Sequence, residues 1–228
     1  MPRILSALVL AITLALLSGC ATYSPVGLAP QIESALPGAS IANTDRPAVD
    51  LFVYSTSDAT FGILGGAIGG ALSAGMGDKA VNDELRAAGV VFPNELLRTR
   101  LLERLRTKHQ VTALGSEGVA LDAEKRGFAP AASTTSARYI LDTDAGWMCS
   151  YLPLNWGRYQ FQIFFSVRLL DRATGKVLFD ERYLWRTPKE LGYPSRKEFT
   201  TDEQKGVKAQ LAAAVAAAEA HFAEKLKL

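Results

Sequence analysis

"YQFQIFFSVRLLDRATGKVLFDERYLW", Tyr159 to Trp185, consists of two apolar runs joined by a turn. In the first run Phe161, Ile163, Phe165, Val167 and Leu169 take alternate positions, the period of a strand that buries one face. In the second, Val177, Phe179, Glu181, Tyr183 and Trp185 alternate in the same way. Between them "DRATGK" supplies Gly175 for the reversal. The segment predicts a β-hairpin. Its apolar face needs a cover, so the flanking sequence sets the fold class.

Two segments provide that cover. In "FPNELLRTRLLERLRTK", Leu97, Leu101 and Leu105 recur every fourth residue with Leu102 beside them, and arginines fill the opposite side. Near the C-terminus Val207, Leu211, Val215, Ala218, Phe222 and Leu226 form a second helical stripe, with His221 off it. This helix is expected to start near Thr200, where Thr200 and Glu203 have the spacing of a capping box. Short strands are expected at "VDLFVYS" and "QVTAL", and a longer one at "RYILDTDAGW". The small, polar stretch 115–137 is expected to hold one short helix. The expectation is an α+β fold: a small mixed sheet with a long C-terminal hairpin and two amphipathic helices packed on it.

Composition narrows the function. Of 228 residues, 48% are hydrophobic and 21% charged, enough for one domain with a true core. Twenty-five basic residues against 23 acidic give a net charge of +2, which argues against nucleic acid as a partner. Two cysteines, Cys20 and Cys149, and two histidines, His109 and His221, cannot build a disulfide framework or a zinc cluster. Neither histidine lies in a motif with a nucleophile. Asp142 and Asp144 alternate on a strand, either as paired carboxylates or, more commonly, as a solvated face. No catalytic residue, cofactor or metal is expected.

The N-terminus carries an address. Arg3 precedes an apolar stretch, Ile4 to Leu17, of 14 residues. That is short for a bilayer core, which takes about 20 residues in a helix. It fits a secretory signal. Leu17-Ser18-Gly19-Cys20 resembles the bacterial lipoprotein lipobox. The resemblance implies cleavage after residue 19, acylation of Cys20 and a membrane anchor. Ala21 after the cysteine, where an aspartate would favour retention, implies the outer membrane over the inner one, with the domain facing the periplasm. Residues 20–48, with four prolines and no sustained period, are expected to be a lipidated tether with an r.m.s. reach of about 30 Å. Residues 49–228 are then one α+β domain, interrupted by a glycine-rich apolar insertion at 61–77.

The hairpin followed by an amphipathic helix, with Asp171, Thr174, Gly175, Lys176 and Val177 in its turn, resembles periplasmic lipoprotein domains. These are of the kind seen in the curli-secretion lipoprotein, the lipoprotein activators of penicillin-binding proteins and the N-terminal domain of TolB. The resemblance implies a non-enzymatic envelope factor that works through protein contacts, with an envelope protein or a second copy as partner.

Two stretches are candidate contact sites. In "FGILGGAIGGALSAGMG" the pairs Gly65/Gly69 and Gly66/Gly70 repeat a GxxxG spacing, which on a helix leaves a groove for another helix. This gives a competing class, a glycine-zipper oligomer that contacts or inserts into a membrane. An internal packed helix or an apolar loop explains the run equally well. "AGWMCSYLPLNWGRYQ" gathers Trp147, Tyr151 and Trp156, either as interface anchors or, the favoured reading, as rings folded onto the core. Cys149 shares strand parity with Trp147 and Tyr151 and is expected to be a small buried hydrophobe.

Overall fold

Alternation in the hairpin sequence becomes two long strands, β7 (Asn155–Asp171) and β8 (Val177–Arg186), paired antiparallel. The computed structural model describes residues 23–54, 79–122, 127–152, 155–195, 198 and 204–228. Along them the chain first forms α1 (Pro30–Glu33), β1 (Ser40–Asn43), β2 (Phe52–Tyr54), α2 (Lys79–Ala87) and α3 (Pro93–His109). It continues with β3 (Thr112–Ala113), β4 (Leu121–Asp122), β5 (Gly127–Phe128) and β6 (Tyr139–Leu152), and after the hairpin ends in α4 (Lys205–Leu226). The fold is α+β. The expected capping box at Thr200 and Glu203 lies outside the described residues. A reciprocal pair of that type is made earlier, with Ser195 N–H donating to Glu198 Oε2 and Glu198 N–H to Ser195 Oγ.

The main sheet runs β3-β1-β6-β7-β8, with β2 further along the edge of β6. Strands β6, β7 and β8 are antiparallel, whereas β1 pairs parallel with both β3 and β6. Because β6 has 14 residues, its one edge takes β1 at Tyr139–Leu141 and then β2 at Met148–Ser150. The register puts Phe165 between Ala145 and Tyr183.

One face of the sheet carries the core. Phe161, Ile163, Phe165 and Val167 are fully buried there with Trp147, Cys149, Phe179 and Trp185. Leu97, Leu101 and Leu105 of α3 cover it, together with the α4 stripe from Val207 to Leu226, as the helical periods require. Pro93 occupies the first turn of α3, where its missing N–H costs nothing, and Gln110 at φ 53° ends the helix.

The expectation of a tether over 20–48 is corrected from Tyr23 onward. Ser40–Asn43 is an interior strand, and Leu36, Ile41 and Ala42 are completely buried. Four residues are too few to show a period between prolines and glycines, yet both edges of β1 are hydrogen-bonded. The stretch 115–137, expected to hold one short helix, also holds two short strands. There β4 and β5 pair antiparallel and a 3₁₀ turn follows at Pro130–Ala132. These elements lie over one end of the second sheet face, where Val119 and Phe128 pack on Ala42, Ala137, Ile140 and Leu170.

Candidate functional site

Beyond that small cap, the second sheet face has no helix on it among the described residues. Side chains with the parity opposite to the core point there: Asp142 and Asp144 on β6, Phe164 and Arg168 on β7, and Asp180, Arg182 and Leu184 on β8.

Asp142 is the buried end of this face, 2% exposed. Arg46, in the segment after β1, donates from Nη2 to Asp142 Oδ2 at 3.0 Å. Arg168 donates to the same oxygen through Nε at 2.9 Å, and Thr44 Oγ1 donates to Oδ1 at 2.7 Å. Burial pulls the Asp142 carboxyl up. The Arg46 hydrogen bond and the Arg168 and Arg46 charges outweigh it, holding the group below the usual carboxylate range. With its oxygens saturated by donors, Asp142 clamps the 44–46 segment to the sheet and has no role as a base. Of the two carboxylates that alternate in sequence, one is a buried ion-pair centre and the other, Asp144, is half-buried opposite Ser166.

The exposed end of the face lies along β8. Val26 and Asp180 exchange two backbone hydrogen bonds of 2.9 Å, which lays the first described residues along the outer edge of that strand. Tyr23 Oη donates to the Asp180 carbonyl at 3.0 Å. Burial, the nearby Asp180 and Glu181 carboxylates and the Asp180 hydrogen bond push the phenol up to about 12. The Arg182 guanidinium stacks 4.0 Å from the Tyr23 ring centre and 6.0 Å from that of Phe164. Phe164 faces Leu184 across the strand pair, and they are 42% and 46% exposed, with Val26 at 39%.

The helical side has a different character. His221 stacks on Tyr183 with ring centres 4.7 Å apart, and its Nε2 lies 3.9 Å from Glu181. His109 is buried at the end of α3. An open groove of about 740 Å³ runs along α3, where Arg100 and Arg104 both pair with Glu219 of α4. A second, of about 390 Å³, lies beside Arg158, which donates to the Tyr193 carbonyl and to Glu198. Among the described residues no cluster of His, Cys, Asp or Glu is placed to hold a metal ion, and no helix is long and apolar enough to cross a membrane.

The sequence-predicted positions fare unequally. Cys20 and the four glycines Gly65, Gly66, Gly69 and Gly70 lie outside the described residues. Trp147 as an interface anchor is corrected: it is 3% exposed, its indole N–H donates to the Val49 carbonyl at 2.7 Å, and Phe92 meets its ring edge-on. The parity it shares with Cys149 carries both into the core, where burial pushes the Cys149 thiol up. The backbones of Tyr151 and Trp156 belong to β6 and β7, and their side chains lie outside the described residues. The exposed patch was missed. Its signal is the pair of apolar residues at polar parity, Phe164 in "IFFS" and Leu184 in "YLW".

No protein family and no curated protein matches the chain. Among solved structures it is similar to the lipoprotein GNA1162 from Neisseria meningitidis, with 16% identity, 80% of this chain and 99% of that one covered and a TM-score of 0.27. The hypothetical protein CT253 from Chlamydia trachomatis gives 11% identity, coverage of 80% and 96% and a TM-score of 0.29. The LpoB C-terminal domain from Salmonella enterica gives 12%, coverage of 70% and 95% and a TM-score of 0.22. At such scores the functional reading rests on the residues of the chain itself.

Proposed function

We propose that the protein is a bacterial envelope lipoprotein, acylated at Cys20 and anchored in the outer membrane facing the periplasm. Its α+β domain acts without catalysis, as an assembly or interaction factor for another envelope protein or a second copy. The observation that carries this reading is Leu17-Ser18-Gly19-Cys20 at the end of an apolar run too short to span a bilayer. Each buried methylene adds about 0.8 kcal/mol, so two or more acyl chains give a lasting anchor. The buried carboxylate Asp142 fits this reading, because Arg46, Arg168 and Thr44 occupy its oxygens and it serves the fold.

Cys20→Ala is expected to abolish acylation and leave an uncleaved or soluble protein. Mass spectrometry of the mature N-terminal peptide reads the outcome directly, and an unmodified Cys20 there overturns the proposal. Crosslinking in intact cells, followed by identification of the captured chains, names the partner.

A further inference from the structure

We infer that the β8 side of the second sheet face, which carries no helix among the described residues, rests on the lipid surface that receives the acyl chains, with Val26, Phe164 and Leu184 at the headgroup boundary. The inference builds on the acylation proposed above and adds which face meets the bilayer. Its first support is chain length. Cys20 precedes Tyr23 by three residues, and consecutive Cα atoms are 3.8 Å apart, so the two Cα atoms are separated by at most about 11 Å. Tyr23 is fixed, by its hydrogen bond to Asp180 and its stacking on Arg182. The Val26–Asp180 bridge holds the next residues to the same strand. An anchor at Cys20 therefore brings β8 to the membrane and removes the stand-off that a free 20–48 tether would give.

The second support is what stands at that point. Three large apolar side chains, Val26, Phe164 and Leu184, are exposed around Arg182, and Arg186 is exposed one strand period beyond Leu184. Such a set suits an interface: the apolar groups enter the headgroup boundary while the long arginine stems keep their charge among the phosphates. Tyr23 adds an amphipathic ring of the kind enriched at that depth. Of the acidic groups on this face, Asp142 is buried in its ion pairs, Asp180 lies half-buried beneath Tyr23, and Asp144 is half-buried on β6, two strands away from β8. The face bearing α3 and α4 then points away from the bilayer and stays open to partners.

The test uses the acylated protein carrying Leu184→Cys, labelled with an environment-sensitive nitrobenzoxadiazole dye and placed in phosphatidylethanolamine–phosphatidylglycerol vesicles. Cys149 is fully buried and does not compete for the label. Phe164→Cys serves as a second position, and Thr99→Cys on the exposed side of α3 as the control. The expected result is a blue-shifted emission at Leu184 and Phe164, protected from aqueous dithionite, with the Thr99 label fully reduced. Equal reduction at all three positions, with acylation verified by mass, overturns the inference and leaves the lipoprotein reading intact. An unmodified Cys20 overturns both. Protection that vanishes when protein is diluted with excess lipid marks a second copy as the occupant and overturns the inference as well.

Discussion

Asp142 is a buried carboxylate held by two arginines and a threonine, and those neighbours set the consequences of changing it. The Asp142 and Arg46 side chains are 1% and 7% exposed, so each is the other's main compensation for lost water. Asp142→Ala is expected to cost about 3–5 kcal/mol in urea denaturation, because it removes the carboxylate that balances the buried Arg46 charge. Arg168→Ala should cost less, since that side chain is 28% exposed and leaves the Arg46 pair standing. The pH dependence has a definite sign. The folded pKa of Asp142 lies below the unfolded value of about 3.9, so its contribution is complete above that pH and disappears as pH falls through the folded pKa. Asp142→Asn is expected to flatten the acid side of the stability curve below about pH 4, measured by chemical denaturation across that range. An unchanged acid limb would show that other carboxylates control it. None of this was visible in sequence, where Asp142 and Asp144 look alike and Arg46 lies 96 residues away among prolines.

Elements with a long period were legible, and short ones were not. The hairpin and both stripes come from apolar residues that keep step over nine or more positions, and each forms where the pattern puts it. β1 has four residues, and its identity comes from partners on both sides: Thr112 N–H reaches the Ala39 carbonyl and Arg138 N–H the Ser40 carbonyl. A fragment of residues 49–228, the domain boundary suggested by composition, loses that interior strand and Arg46 together. It is expected to show no cooperative thermal transition, whereas residues 21–228 melt as one unit. A fragment that melts like the longer chain would place β1 outside the folding unit. The hairpin turn supplies a finer test. Gly175 sits at φ +69°, and an added Cβ would lie 2.6 Å from Cγ of Pro130. Gly175→Ala is therefore expected to destabilise by more than about 1 kcal/mol in a denaturant melt.

At the scale of the whole molecule, one question is what holds the helices to each other and to the sheet. Two answers compete where α3 meets α4: the fork of Arg100 and Arg104 on Glu219, and the apolar stripe beneath it. The two arginines are 50% and 47% exposed, so solvent screens the fork and pairs of this kind contribute about 0–1 kcal/mol. Phe222 is fully buried, meets Tyr183 edge-on and belongs to the same core as Phe165. Removing a buried phenylalanine side chain costs about 3–5 kcal/mol. That asymmetry explains why apolar periods alone foretold the helical layer, while the patch at Val26, Phe164 and Leu184, which lies at the parity opposite to the core, escaped them. Glu219→Gln is expected to shift denaturant stability by no more than about 1 kcal/mol. Phe222→Ala and Phe165→Ala should each lose about 3–5 kcal/mol, in a transition that far-ultraviolet circular dichroism and tryptophan fluorescence report together. If the Glu219 change proved the larger, the ion-pair fork would be the element that docks α4. If the two probes separated, the hairpin and the last helix would not share one cooperative core.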